Sequence, residues 1–210
     1  MNDKIKNLLE KVNKKVGSTV LQVASEATAY EFLDTPFATI NNLIGGIPLG
    51  RFTTIAGPEH TGKGAFCLHL IAYQQSKDPN FIALWTDAEN SFEPEWARQL
   101  GVDLDRLILQ KYTPEADIME TILDAGLKII KESQAIGLWI IDSIGALVPK
   151  ADLYDSKDAD KGLEGMKMLN LQVKMGEFYR KANTVINRNV ITGYKGCAAL
   201  LIGQVYTVPD

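Results

Sequence analysis

The sequence predicts an α/β fold with a doubly wound, mostly parallel sheet and helices on both faces. Short apolar runs alternate with longer helical patterns, which is the order of parallel strands joined by crossover helices. Two of the runs, Phe81–Thr86 and Leu138–Ile141, are apolar almost throughout, as expected for strands covered on both faces. A glycine-rich loop between a strand and a helix predicts a nucleotide site at the carboxyl edge of that sheet.

These patterns place the elements in order along the chain. Asp3–Val16 has the spacing of an amphipathic helix, and Thr19–Val23 is predicted as a strand. The other predicted elements are helix Ala38–Ile44, strand Arg51–Ala56, a helix from Ala65, strand Phe81–Thr86, helix Glu93–Leu100, strand Leu107–Gln110, helix Ala116–Glu132, strand Leu138–Ile141, helix Lys157–Asn183 and strand Ala198–Ile202.

Composition limits the classes of protein that fit. A chain of 210 residues is long enough for one α/β domain with a core. The net charge of −4 excludes a globally basic nucleic-acid binder, so any such site must be local. Two cysteines do not form a disulfide framework. Because the sequence has neither a stretch of transmembrane length nor a signal peptide, we expect a soluble cytoplasmic protein.

Residues 57–64, Gly-Pro-Glu-His-Thr-Gly-Lys-Gly, nearly match the phosphate-loop pattern G-x-x-x-x-G-K-[ST]. Successive backbone N–H groups of such a loop bind anions, and the following helix turns its positive end to the same phosphates. Lys63 adds a cation near the β- and γ-phosphates. The predicted nucleotide contacts are therefore Gly57, Pro58, Glu59, His60, Thr61, Gly62, Lys63, Gly64 and Ala65.

Gly64 is the one departure from the loop pattern. A serine or threonine hydroxyl at this position ligates Mg²⁺ in phosphate loops, and glycine has no such ligand. The loop thus predicts binding of a nucleoside triphosphate and leaves open whether magnesium, and with it hydrolysis, is handled in the ordinary way.

Polar residues at the ends of three predicted strands are candidates for chemistry. Asp142 could hold a magnesium shell through water, or cap the next turn. Glu89 could orient or deprotonate the attacking water, or complement a helix dipole. Gln204 could sense the γ-phosphate, although its position alone favours an ordinary polar residue at a strand end.

Trp96 is an aromatic candidate for the nucleotide base, since a tryptophan could cover the flat face of an adenine. A buried tryptophan on an amphipathic helix is the commoner outcome for such a residue. His60 is assigned no catalytic role, because backbone groups bind the phosphates in this kind of loop.

The order of these motifs resembles that of bacterial and phage RecA-type recombinases. The resemblance extends from the N-terminal helix to the last residue, and its densest parts are Gly45–Lys63, Asp87–Asp103 and Ile140–Ala151. It implies a RecA-like P-loop core at 34–210 that is truncated after the Gln204 strand. It also implies an N-terminal helix and strand at 1–33 that docks onto a neighbouring subunit.

The resemblance also implies roles for the candidate residues. Glu89 matches the family's water-activating glutamate, and Gln204 matches the glutamine that couples the γ-phosphate to DNA binding. Glu93 and Trp96 fall where the family contacts adenine, although a tyrosine is more usual there. Residues 151–162 match the first DNA-binding loop, and their four aspartates against two lysines make attraction to DNA phosphates poor.

Three departures from the family accompany this resemblance. Gly64 replaces a threonine or serine, and residues 183–196 form a longer link than the family has. The chain also stops at Asp210, where the family continues into a second DNA-binding loop and further strands. We therefore expect either a fragment or a sheet with an exposed edge.

The predicted function is that of a DNA-dependent ATPase and recombinase that uses ATP and Mg²⁺. Its expected partners are single-stranded DNA, homologous duplex DNA and further copies of itself in a helical filament, with no membrane, in a bacterial cell or a phage-infected host. Two alternatives stay open. One is a non-hydrolysing nucleotide-binding regulator or filament protein, and the other is a hexameric helicase-type motor.

Overall fold

A computed structural model of the chain describes residues 2–26, 29–113, 118–154, 163–187 and 192–205. Contacts within the chain divide it into two units, Met1–Tyr30 and Glu31–Asp210. The predicted first DNA-binding loop lies outside the described residues from position 155 onward. Residues 206–210, which the family resemblance would make the start of a second DNA-binding loop, lie outside them entirely.

The N-terminal unit contains helix α1 (Asp3–Val16), with the predicted bounds. The Asn2 side chain caps its first turn by accepting from a backbone N–H, and Gly17 ends it in the left-handed conformation, at φ 76°. None of its residues is buried within the chain. The apolar side chains of Ile5 and Leu8 are half exposed or more, so this helix has an apolar face without a cover in its own unit.

The strand predicted at Thr19–Val23 does not form, because the Asn13 side chain takes the backbone groups that a strand would share with a neighbour. Its Oδ1 accepts from the N–H groups of Val20 and Leu21, at 3.0 and 2.9 Å. Its Nδ2 donates to the Leu21 carbonyl at 2.7 Å. The segment is irregular as far as the short 3₁₀ turn Ala24–Glu26.

The second unit is built on a five-stranded parallel sheet, which confirms the predicted fold class. The described strands are β1 (Phe32–Leu33), β2 (Ile47–Pro48), β3 (Phe52–Gly57), β4 (Ile82–Asp87), β5 (Leu107–Lys111), β6 (Ile136–Asp142) and β7 (Ala198–Gln204). The order in the main sheet is β3-β7-β6-β4-β5. Two of the predicted strands, 51–56 and 81–86, are shifted by one residue from the observed β3 and β4, and the other three were one to three residues short.

Helices cover both faces of this sheet. The described helices of the second unit are α2 (Ala38–Ile44), α3 (Lys63–Lys77), α4 (Pro94–Gln99), α5 (Met119–Ser133), α6 (Lys150–Tyr154) and α7 (Leu163–Ile186). Buried residues of α5 and α7 pack with Leu84 and Trp139 on one face. Buried residues of α3 and α4 pack with Ala83 and Ile140 on the other. Residues adjacent in a strand thus enter opposite cores, as the uniformly apolar runs predict.

A small antiparallel pair, β1 with β2, was missing from the prediction. Gly46 makes this pairing possible. Its φ is 107°, and a Cβ there would lie 2.4 Å from the Leu33 carbonyl oxygen. The backbones approach so closely that only glycine fits. Among the described residues, no helix is long and apolar enough to cross a membrane.

Candidate active site

The candidate residues converge at the carboxyl edge of the parallel sheet. The register pairs Gly57 with Gln204 and Asp87 with Asp142, and because Ile141 pairs with Leu201, β3 and β7 extend about two residues beyond β4 and β6. A cavity of about 440 Å³ opens there. It is lined by Glu59, His60, Thr61, Gly62, Lys63, Gly64, Ala65, Glu89, Ser91, Trp96, Asp142, Ile202 and Gln204. The predicted contacts Gly57, Pro58 and Glu93 do not line it.

The phosphate loop has the features that an anion site needs. Gly62 is the N-cap of α3, at φ 85°, and no side chain caps the helix, so no side chain competes with a ligand for the N–H groups of the first turn. The Lys63 Nζ donates to the carbonyls of Gly57 and Pro58 at 2.9 and 2.6 Å. The lysine is therefore held against the loop, where a phosphate could draw it away. These residues fit a nucleoside triphosphate.

Gly64 faces Asp142 across an open space. A Cβ built at Gly64 would meet no atom closer than the Asp142 Oδ2, at 4.0 Å. A serine hydroxyl would fit between them, and with glycine there is room for water instead. No cluster of three metal-ligating side chains occurs among the described residues. The site suits Mg²⁺, which binds through one or two carboxylates, water and phosphates rather than in a protein cage.

Three carboxylates make this edge of the sheet electrostatically negative. Burial, and then the charges of Glu89 and Asp87, raise the pKa of Asp142 to about 6, while Lys63 acts in the opposite direction. The Asp87 carboxylate accepts from the N–H groups of Ser91 and Phe92 at 2.9 and 3.0 Å. Asp87 therefore shapes the turn after β4, whereas Asp142 faces the cavity.

Glu89 receives two hydrogen bonds on one oxygen. The Ser143 hydroxyl donates to Oε1 at 2.5 Å, and the Gln204 Nε2 donates to the same atom at 2.8 Å. The structure thus brings together Glu89 and Gln204, which lie 115 residues apart in sequence. Ser143 was missed by the sequence reasoning, although its position directly after Asp142 was the available signal.

Trp96 lies on α4 with 44% of its surface exposed and lines the cavity. Its neighbour Ala97 is the residue of this helix that enters the core, so the buried-tryptophan alternative is wrong. Glu93 is the N-cap position of the helix, exposed and without a side-chain capping bond. Ser91 and Ile202, which also line the cavity, were not predicted.

Comparison with known proteins relates the chain to one family. A family model described as the RecA N-terminal domain matches residues 3–204. Protein RecA of Mycoplasma mobile is 34% identical over 197 residues, which cover 91% of this chain and 57% of the relative. Protein RecA of Mycoplasmopsis pulmonis is 33% identical over 211 residues, covering 98% and 59%. Protein RecA of Clostridium tetani is 37% identical over 143 residues, covering 68% and 39%.

The chain spans little more than half the length of the first two of these relatives. The match nevertheless includes the phosphate loop and the ends of the strands that carry Glu89, Asp142 and Gln204. The chain belongs to the RecA N-terminal domain family.

Proposed function

We propose that this chain is the ATP-hydrolysing core of a recombinase that assembles as a filament on single-stranded DNA and pairs it with homologous duplex DNA. One observation carries the proposal. Lys63, Glu89, Asp142 and Gln204 line a single cavity beside the phosphate loop. A cation, a carboxylate base, a metal-facing carboxylate and an amide are the groups that phosphoryl transfer to water requires.

Binding of ATP begins at the loop. The N–H groups at the start of α3 receive the phosphates, and the Lys63 Nζ exchanges its two carbonyl acceptors for β- and γ-phosphate oxygens. The half-exposed Trp96 ring covers the adenine, and aromatic contacts with a base contribute about 1–3 kcal/mol. Glu93 joins Trp96 in contacting the base, as the family resemblance implies.

Hydrolysis requires a base near the γ-phosphate. Glu89 accepts a proton from the attacking water, and positioned general bases contribute about 10²- to 10⁴-fold in rate. Asp142 would hold the magnesium shell, and residue 64, a glycine, would add no ligand to it. Mg²⁺, when bound, neutralises charge that develops on the phosphates. The Gln204 amide then donates its hydrogen bond to the γ-phosphate instead of Glu89. This movement of the side chain shifts the residues that follow β7.

Self-association is supported by the N-terminal unit. Helix α1 exposes apolar side chains on a helix that otherwise bears lysines, and a large exposed apolar face marks a contact surface. We propose that this unit docks on the core of a neighbouring subunit. The filament then places nucleotide between subunits.

The experiment for this proposal is the ATPase rate with and without single-stranded DNA. The account predicts turnover that requires Mg²⁺ and rises when DNA is added, because assembly on DNA completes the site. An ATPase rate that is the same with and without DNA would contradict the DNA-dependent mechanism, although it would still support ATP hydrolysis.

A second candidate function is a nucleotide-binding protein that does not hydrolyse ATP, and Gly64 is the observation that favours it. The hydrogen bonds from Ser143 and Gln204 to Glu89 favour hydrolysis instead. They orient a carboxylate base, and nucleotide binding alone does not require such a base. ATP binding without Mg²⁺-dependent turnover would identify this second function.

A further inference from the structure

We propose that Ser143 is the positioning residue of this site, holding the Glu89 carboxylate by one oxygen so that the other is free for the attacking water. The inference rests on the proposed ATP hydrolysis. It assigns a role to a residue that neither the loop pattern nor the strand-end candidates include.

The geometry separates the two carboxylate oxygens of Glu89. Ser143 and Gln204 both donate to Oε1, at 2.5 and 2.8 Å. Among the residues that the structure describes, none donates to Oε2. Each oxygen of an ionised carboxylate can accept about two hydrogen bonds. Ser143 and Gln204 occupy these positions on Oε1, so Oε2 is the oxygen left open to the attacking water.

The two donors differ in how firmly they are held. Ser143 is buried, with 1% of its surface exposed, and it follows β6 directly. The Asp142 carbonyl, one residue earlier, accepts from the Ala88 N–H at 2.7 Å, which ties the end of β6 to the segment that carries Glu89. Gln204 lies at the end of β7, and its proposed role requires it to leave Glu89 for the γ-phosphate. Ser143 is then the donor that remains.

A purely local role for the hydroxyl does not fit the structure. Ser143 is the N-cap residue of the 3₁₀ turn Ile144–Ala146, where a serine side chain ordinarily accepts from a backbone N–H of that turn. Its side chain makes no such capping bond. The hydroxyl instead points across to Glu89, which is 54 residues away in sequence.

Glu89 needs such a support because it is exposed. A glutamate has three rotatable side-chain bonds, and a free side chain of this kind spends little time in one geometry. A base must lie within about 2.6–3.2 Å of the proton that it takes, and a misplacement of about 1 Å can cost 10²-fold in rate. A short, charge-assisted bond from a buried hydroxyl supplies the fixed point.

The test is a double-mutant cycle of wild type, Ser143→Ala, Glu89→Gln and the double variant. ATP affinity is followed by Trp96 fluorescence, and turnover by phosphate release in the presence of single-stranded DNA. We expect Ser143→Ala to lower kcat about 10- to 100-fold, with ATP affinity within about twofold of wild type. In the Glu89→Gln background it should change kcat less than about twofold, since a residue that acts through another has no effect once that residue is removed. An equal loss in both backgrounds, or a loss of affinity instead of kcat, overturns the proposal.

A structural measurement tests whether Ser143 positions Glu89 without measuring turnover. Its outcome therefore does not depend on whether the protein hydrolyses ATP. Crystal structures of wild type and Ser143→Ala are compared, each with a non-hydrolysable ATP analogue. We expect one Glu89 rotamer in wild type and several in the variant. A single, unchanged rotamer in Ser143→Ala contradicts the positioning role even if the enzyme hydrolyses ATP. Ser143→Thr keeps the hydroxyl and should retain the wild-type rotamer, which serves as the control if the alanine variant is unstable.

Discussion

Gly64 and Asp142 face each other across a gap wide enough for the hydroxyl that Gly64 lacks. A Cβ at Gly64 would be 4.0 Å from the Asp142 Oδ2 and would touch nothing closer. The backbone does not require glycine either, because its φ is not in the left-handed region. The missing ligand can therefore be restored by a single substitution.

Gly64→Ser should tighten Mg²⁺ binding in the presence of ADP by about fivefold, which corresponds to the roughly 1 kcal/mol of a typical polar contact. A Mg²⁺ titration followed by tryptophan fluorescence measures this, since Trp96 is exposed while Trp85 and Trp139 are buried. Gly64→Ala is the matched control, because it adds the Cβ without the hydroxyl. If the serine and alanine variants bind Mg²⁺ equally well, the hydroxyl is not a ligand in this site.

Asp142 should make the stability of the nucleotide-free protein depend on pH. Its folded-state pKa is raised to about 6, above the value of about 3.9 of an unfolded chain. The folded state thus binds more protons between these values, and the contribution of Asp142 to the free energy of unfolding rises as pH falls from 7 to 4.

Urea unfolding of wild type and Asp142→Asn across that range, without Mg²⁺ or nucleotide, isolates this contribution. Asparagine cannot ionise, so the variant should be the more stable at pH 7, and its advantage should fade towards pH 4. A stability difference that is constant from pH 4 to 7 would show that the folded Asp142 does not titrate there.

Contacts between residues far apart in the chain were less accessible to prediction from the sequence than local patterns. The apolar runs and the glycine loop predicted the sheet and the phosphate loop, because both patterns are local. The bond from Ser143 to Glu89 spans 54 residues, and no spacing rule connects them. The predicted strand at Thr19–Val23 failed for a more local reason, since the Asn13 side chain, only seven to eight residues away, hydrogen-bonds to the backbone of Val20 and Leu21, and the apolar pattern does not show such a contact.

Gly126 illustrates a packing constraint that the sequence does not reveal. A Cβ there would lie 2.6 Å from the Trp139 ring, so Gly126→Ala should destabilise the protein by about 1–3 kcal/mol through overpacking. Gly176 in α7 is a matched helical control with no atom within 4 Å of a built Cβ, and Gly176→Ala should stabilise by about 0.5–1 kcal/mol. Urea unfolding measures both, and opposite signs are expected. Equal changes in the free energy of unfolding would mean that α5 and the sheet shift enough to accommodate the added methyl group without cost.

Thr86 is the centre of a buried polar chain. Its hydroxyl accepts from the Trp139 indole at 2.9 Å and donates to the Gln110 side chain at 2.8 Å. Thr86→Val leaves both partners unsatisfied and should lower the free energy of unfolding by about 1–3 kcal/mol.

Thr54→Val, on the exposed edge strand β3, is the control for Thr86→Val and should stay within about 0.5 kcal/mol of wild type. Similar values for the two substitutions would indicate that the buried chain adds nothing beyond the exchange of a hydroxyl for a methyl group.

The most direct test is ATP turnover by wild type and Glu89→Gln at saturating Mg²⁺ and single-stranded DNA, with ATP affinity measured for both. The substitution removes the base and keeps the shape of the side chain. The account predicts equal affinity and a kcat lower by about 10²- to 10⁴-fold in the variant. Equal turnover in the two proteins, or ATP binding by wild type without any turnover, would contradict the claim that this cavity is an ATP-hydrolysing site.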